Sequence, residues 1–163
     1  MKRIRRTFLV AAVAALGSAL LGSQLSASAA PAVVLKFDSM APVTGPYVGS
    51  ANPIRGISGG GRAWQLHSAM GLLERDGHLV VHVRGLVLVS TGTDPISSFR
   101  AIVSCQTITD SAATAANVMT DPFPASTQGD ADVETSVALP SPCIAPIVFV
   151  TSPGGAWFAA TGV

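Results

Sequence analysis

The sequence predicts an all-β domain, an antiparallel sandwich of about seven or eight strands, and three observations point there. Apolar and polar residues alternate in short runs, Gly, Pro and Asp punctuate those runs, and no window of a dozen residues sustains helical spacing. Without a helix to cover an open sheet, the strands must bury their apolar faces against one another. A two-sheet sandwich does this, and a small barrel is the alternative.

The first thirty residues stand apart from that pattern. Lys2, Arg3, Arg5 and Arg6 precede a mostly apolar run over residues 8–22, and Ala27-Ser28-Ala29-Ala30 follows. This is the layout of a cleaved secretory signal. Cutting after Ala30 would put Pro31, which lacks an amide N–H, directly after the bond, so the preferred cut follows Ala29. The reading is a leader over residues 1–29 and one mature domain over residues 30–163. Arg5-Arg6-Thr7-Phe8-Leu9 also matches the centre of a twin-arginine signal, but Ile4 and Val10 replace its flanking Ser/Thr and Lys. The general secretory route is therefore preferred, and the expected location is outside the cell or on its surface.

Cleavage changes the charge balance. Four of the ten Lys and Arg residues lie in the leader, while all nine Asp and Glu residues lie after it, leaving six basic and nine acidic groups and a net charge of −3. Arg55, Arg62, Arg75, Arg84 and Arg100 are scattered singly. A nucleic-acid binder needs a basic stripe, so that class is set aside. After the leader no apolar run approaches the roughly 20 residues of a membrane span. Two cysteines remain, Cys105 and Cys143, and in an oxidising compartment they are expected to pair.

The strands follow in order. The first covers residues 33–40, and a loop over residues 41–61 holds Pro42, Pro46, Pro53 and six glycines. The second runs from Arg62 to about Glu74 with Trp64, Leu66, Met70 and Leu72 assigned to one face. Arg75-Asp76-Gly77-His78 reads as a type I′ hairpin turned on Asp-Gly. The third strand, residues 78–89, places Leu79, Val81, Val83 and Val87 on the matching face. Residues 98–105 alternate Phe99, Ala101, Val103 and Cys105 against Arg100, Ile102 and Ser104. A short strand is expected near residues 115–119, and Asp121-Pro122-Phe123-Pro124 reads as a turn or edge segment, since proline cannot donate to a ladder. Residues 131–139 form a strand with Asp132 and Glu134 outward. Residues 144–151 are almost continuously apolar, which suits a strand covered on both faces. The last strand covers residues 156–162.

Four patterns bear on chemistry. Gly56-Ile57-Ser58-Gly59-Gly60 satisfies G-x-S-x-G, which would make Ser58 a nucleophile, but neither the preceding strand nor the following helix of that elbow is present. The stretch reads better as a conformational Gly-rich loop. His67, His78 and His82 invite a metal site. The expected hairpin register puts His78 and His82 on one face but about 13 Å apart, at roughly 3.3 Å per residue. One zinc ion needs ligand nitrogens at about 2 Å, so a solvated polar face is the preferred reading. The carboxylates Asp130, Asp132 and Glu134 form a row on one side of a strand and not a buried pair, and the calcium-loop pattern is absent. Trp157 and Phe158 are neighbours in one strand and must point to opposite faces. Trp157, and after it Trp64, are thus the candidates for a ligand-binding aromatic, with packing as the default.

Several phrases carry a resemblance: Pro53-Ile54-Arg55-Gly56-Ile57 with its trailing glycines, Gly85-Leu86-Val87-Leu88, the segment from Ser98 to Cys105, and the segment from Leu139 to Val150. They resemble small secreted proteins of actinobacterial type that have no assigned function. The resemblance implies an exported domain with these two cysteines and brings no catalytic residues. Val81-x-Val83-x-Gly85-Leu86 is also similar to the strand entering secreted CHRD sandwiches, without their following Ala-His-Ile-His, and implies only the general fold. The resulting expectation is a secreted, non-enzymatic binding or structural domain without cofactor, engaging a wall polymer or another protein. The rivals are a small extracellular hydrolase using Ser58 or a histidine, and a metal-binding protein.

Overall fold

The computed structural model describes residues 32–162, so the leader assigned to residues 1–29 lies outside the described residues. Eight strands of four or more residues make up two antiparallel sheets, and shorter strands extend them. The four-stranded sheet has β1 (Val33–Phe37), β4 (Ser68–Glu74), β5 (His78–Arg84) and β10 (Ala131–Ser136), in that spatial order. The larger sheet runs β2 (Ala41–Pro42), β12 (Trp157–Ala160), β11 (Ile144–Thr151), β7 (Ser98–Thr109) and β8 (Ala112–Met119), with β9 (Phe123–Pro124) paired to the start of β7. A two-stranded piece, β3 (Trp64–Gln65) with β6 (Val87–Leu88), completes the set. Neither sheet closes on itself, so the fold is a sandwich and not a barrel.

The hairpin of β4 and β5 corrects the expected register. Leu73 lies opposite Leu79 and Met70 opposite His82, one residue away from a two-residue turn. Gly77 has φ +93° and its N–H donates to the Glu74 carbonyl. The connection is thus the three-residue loop Arg75-Asp76-Gly77, with glycine in the left-handed position that this loop type requires. Leu79, Val81 and Val83 point inward as expected. In β4, however, Ala69 and Leu73 are buried while Met70 is exposed, so the face assigned to Met70 and Leu72 is the outer one.

The reason lies at the break between β3 and β4. Trp64–Leu88 and Leu73–Leu79 belong to one continuous register, but the strands part at Leu66 and His67 opposite Gly85 and Leu86. Gly85 has φ +66°, and a Cβ there would press on the His67 Cβ. The ladder bends where both backbones come close, and the inward parity switches from Trp64 to Ala69.

Strand β7 is longer than residues 98–105. It continues to Thr109 and turns through Asp110 and Ser111, both at positive φ, into β8, which begins at Ala112 and not at Ala115. Two consecutive left-handed residues make a tight reversal without glycine, and Asp is among the types that tolerate it. Cys105 and Cys143 form the disulfide, with Cα atoms 4.9 Å apart across 38 residues. It ties β7 to the segment entering β11, its neighbour in the same sheet. In the chain-entropy account, closing such a loop contributes at most about 4 kcal/mol.

One face of the larger sheet presents Ala101, Val103, Val148 and Val150 to the sandwich interior, where they join Leu73, Leu79, Val81, Val83 and Val133 in one apolar cluster. The other face is buried as well: Ile102, Ser104, Phe149 and Thr151 are within 3 % of fully covered. Their cover comes from residues 43–61, which include a short 3₁₀ turn, Gly45–Tyr47.

Candidate functional site

The cover segment is fastened at several points, and each has a local cause. Ile54 and Ile57 exchange backbone hydrogen bonds of 3.0 and 2.9 Å around Arg55 and Gly56, both at positive φ. The stretch around Ser58 is therefore a tight hairpin followed by an extended run, which explains why G-x-S-x-G occurs without an elbow. Arg55 donates through Nη1 to the Ser104 carbonyl and through Nη2 to the Ala145 carbonyl, each at 2.7 Å, while Asn117 Nδ2 donates to the Arg55 carbonyl. Ser58 and Gly60 exchange backbone bonds with Trp157. A Cβ at Gly59 would collide with the Tyr47 carbonyl, and one at Gly60 would sit 2.8 Å from the Phe158 ring. These two glycines let the segment approach the sheet closely.

Trp157 and Phe158 do point apart. Phe158 stacks on Trp64 with ring centroids 4.0 Å apart and meets Phe99 edge-on at 6.0 Å. Trp157 lies on the covered face, 6.1 Å from Phe149 and 6.2 Å from Tyr47. A bulge in β12 opposite Thr151 accompanies this divergence. Trp157 and Trp64 are only 2 % and 3 % exposed, so neither ring is an open platform. Among the described residues the exposed aromatic is Tyr47, at 45 %.

Between Tyr47 and the sheet lies a cleft of about 490 Å³, lined by Pro42, Thr44, Tyr47, Ile54, Ile147 and Trp157 among others. Its lining is largely apolar, and Trp157 Nε1 is buried without a hydrogen-bond partner. That volume falls within the range of small-ligand sites. A shallower cleft of about 440 Å³ flanks Trp64 with Arg62, Leu88, Pro95 and Phe158. Trp157 is the candidate that the sequence marks here; Tyr47 carries no such signal, because its position depends on the long-range fold of the cover segment.

The remaining candidates lie elsewhere. Ser58 lines a cleft with Ile102, Asn117, Met119 and Gly155, and no histidine or carboxylate is among its lining residues. The histidines belong to the opposite half of the sandwich. His67 sits at the β3–β4 break beside Gln65 and Gly85, and His78 pairs with Ser136. His82 Nδ1 lies 2.7 Å from Asp132 Oδ1, which also accepts from Arg84 Nη2 at 2.8 Å. The hydrogen bonds from His82 and then Arg84 hold the Asp132 carboxyl below its usual range. Asp130 accepts from the Gly85 N–H, and Glu134 lies outward opposite Val80. Among the described residues no three His, Cys, Asp or Glu side chains gather as metal ligands do. No described helix is long and apolar enough to cross a membrane.

No family model, no curated protein and no solved structure matches this chain.

Proposed function

We propose that this protein is an extracellular, non-catalytic binding domain whose ligand site is the cleft between Tyr47 and Trp157. The observation that carries the reading is the cleft's composition: an exposed tyrosine over a buried tryptophan, with Ile54, Ile147 and Pro42 around them and no serine, cysteine, histidine, lysine or carboxylate. Such a lining binds by burying apolar surface, and no base is among its lining residues to activate the Thr44 or Tyr47 hydroxyl. The disulfide and the leader pattern support an oxidising compartment outside the cytoplasm.

The ligand that fits is an apolar or aromatic side chain presented by a protein partner. A wall glycan is a poorer fit, because a hydrated polymer needs several convergent hydrogen-bonding groups and this cleft offers chiefly the Thr44 and Tyr47 hydroxyls. The test is a titration of the purified protein with short capped peptides carrying Phe, Trp or Leu, and in parallel with soluble wall-glycan fragments, read by tryptophan fluorescence. Saturable quenching by a peptide, lost in Tyr47→Ala, is the expected result. Quenching by glycans alone overturns the ligand class, and silence in both series overturns the site. Ser58→Ala, assayed on ester and peptide substrates, separates the hydrolase rival: an activity that this variant loses contradicts a binding role.

A further inference from the structure

We infer that the free edge of β8 pairs with β8 of a second copy, joining two larger sheets into one continuous antiparallel sheet across a two-fold axis. An edge strand exposes a row of unpaired N–H and C=O groups, and folded proteins block it with proline, charge, bulges or brevity. Strand β1 is five residues long, carries Lys36 and has an irregular register between Val33 and Leu35. Strand β2 is two residues long and includes Pro42, and β9 is two residues long, follows Pro122 and includes Pro124. Strand β10 carries Asp132 and Glu134, and its edge is capped at one end by a bridge from Ala125 to Ala131.

Strand β8 has none of these devices. It spans eight residues, Ala112–Met119, pairs with β7 in unbroken register from Met119 to Ala112, and contains no charged residue and no proline. It closes the sheet order, with no strand on its other side among the described residues. Part of it also lacks cover. Pairing of β7 with β11 reaches only Gln106, so residues 107–114 project as a two-stranded ribbon with Ile108 58 % exposed. Two-stranded ribbons are marginal in water and gain from a further strand.

The chemistry selects the occupant. An unpaired ladder takes an extended strand through main-chain hydrogen bonds. The side chains of β8 are Ala, Thr, Asn, Val and Met, so a two-fold antiparallel pairing brings small neutral groups together and opposes no like charges. A neutral edge is thus complementary to itself, whereas the acidic β10 edge repels its own copy.

The experiment is sedimentation equilibrium of the purified protein over a wide concentration range, with Thr114→Lys and Ala113→Pro as edge-blocking variants and far-UV circular dichroism as the check on folding. A reversible dimer is expected for the parent, with Thr114→Lys raising its dissociation constant at least tenfold at unchanged circular dichroism. Thr114 is exposed, so this variant keeps the proposal testable if the proline variant misfolds. A parent that stays monomeric at millimolar concentration, or a dimer that both folded variants retain, overturns the inference. A dimer lost only in Tyr47→Ala also overturns it and assigns the contact to the cleft.

Discussion

Asp94 shows how one buried group sets a pH dependence. It is 4 % exposed, its Oδ1 accepts from the Ile96 N–H at 3.0 Å, and its Oδ2 is buried with no partner. Burial raises its pKa above the ordinary 3.8, against the smaller opposing effect of that hydrogen bond. A raised folded-state pKa means that the folded protein holds the proton more tightly than the unfolded chain. The contribution of Asp94 is therefore most favourable below the unfolded pKa and declines as pH rises through the folded value. Asp94→Asn keeps the Oδ1 acceptor and removes the charge. It is expected to raise Tm at pH 7 by a few degrees, of the order that about 1 kcal/mol gives in a domain this size, and to change little at pH 3. Thermal melts at the two pH values check this, and a larger gain at pH 3 contradicts it. Asp132 works in the opposite sense: its pKa is lowered, so its contribution is lost as pH falls. Because the pair is open to solvent, that contribution is small.

At the scale of the element, the cover segment serves both the fold, through the buried Val43 and Ile57, and the Tyr47 cleft. Arg55 fastens it, and it does so from a positive φ that arginine rarely adopts. The fork of its guanidinium spans two carbonyls on different strands, Ser104 on β7 and Ala145 on β11. Arg55→Ala is expected to destabilise the protein by about 1–2 kcal/mol, the range for charge-assisted hydrogen bonds discounted for partial exposure. Arg55→Lys should not restore it, since an ammonium lacks the planar fork. Denaturant melts of the two variants check this, and full stability of the lysine variant contradicts the latch.

The same scale shows why part of the structure was legible in the sequence and part was not. Leu79, Val81 and Val83 repeat with period two, alternating with His78, Val80, His82 and Arg84, and they lie inside. The strand before them carries the same signal, but its bend at Leu66 and His67 switches parity, and no local pattern marks that switch. Asp76-Gly77 serves a two-residue or a three-residue loop equally well, so the one-residue register difference is invisible without the partner strand. Asp110-Ser111 turns without glycine, so no turn-marking glycine shows where β8 begins. The disulfide is legible from two cysteines behind an export-type leader pattern, while the Tyr47 cleft is assembled by residues far apart in the chain, among them Pro42, Tyr47, Ile147 and Trp157.

For the whole molecule, the consequence is a sandwich whose larger sheet is buried on both faces at its centre, where β7, β11 and β12 meet, and open along β8. The inner face makes the core with β4, β5 and β10, and the outer face, with Phe149 and Ile102, is sealed by residues 43–61. The aromatic residues divide accordingly: Trp64, Phe99 and Phe158 cluster together, and Tyr47, Phe149 and Trp157 form the second group under the cover. The cleft exists only because that second group is closed over by Tyr47. Proton–proton nuclear Overhauser contacts in the protein free in solution test this most directly. Cross-peaks linking the Trp157 ring to both Tyr47 and Phe149, with slow solvent exchange of the Trp157 indole N–H, are the predicted result. A Trp157 indole that exchanges freely and shows no contact to Tyr47 would contradict it.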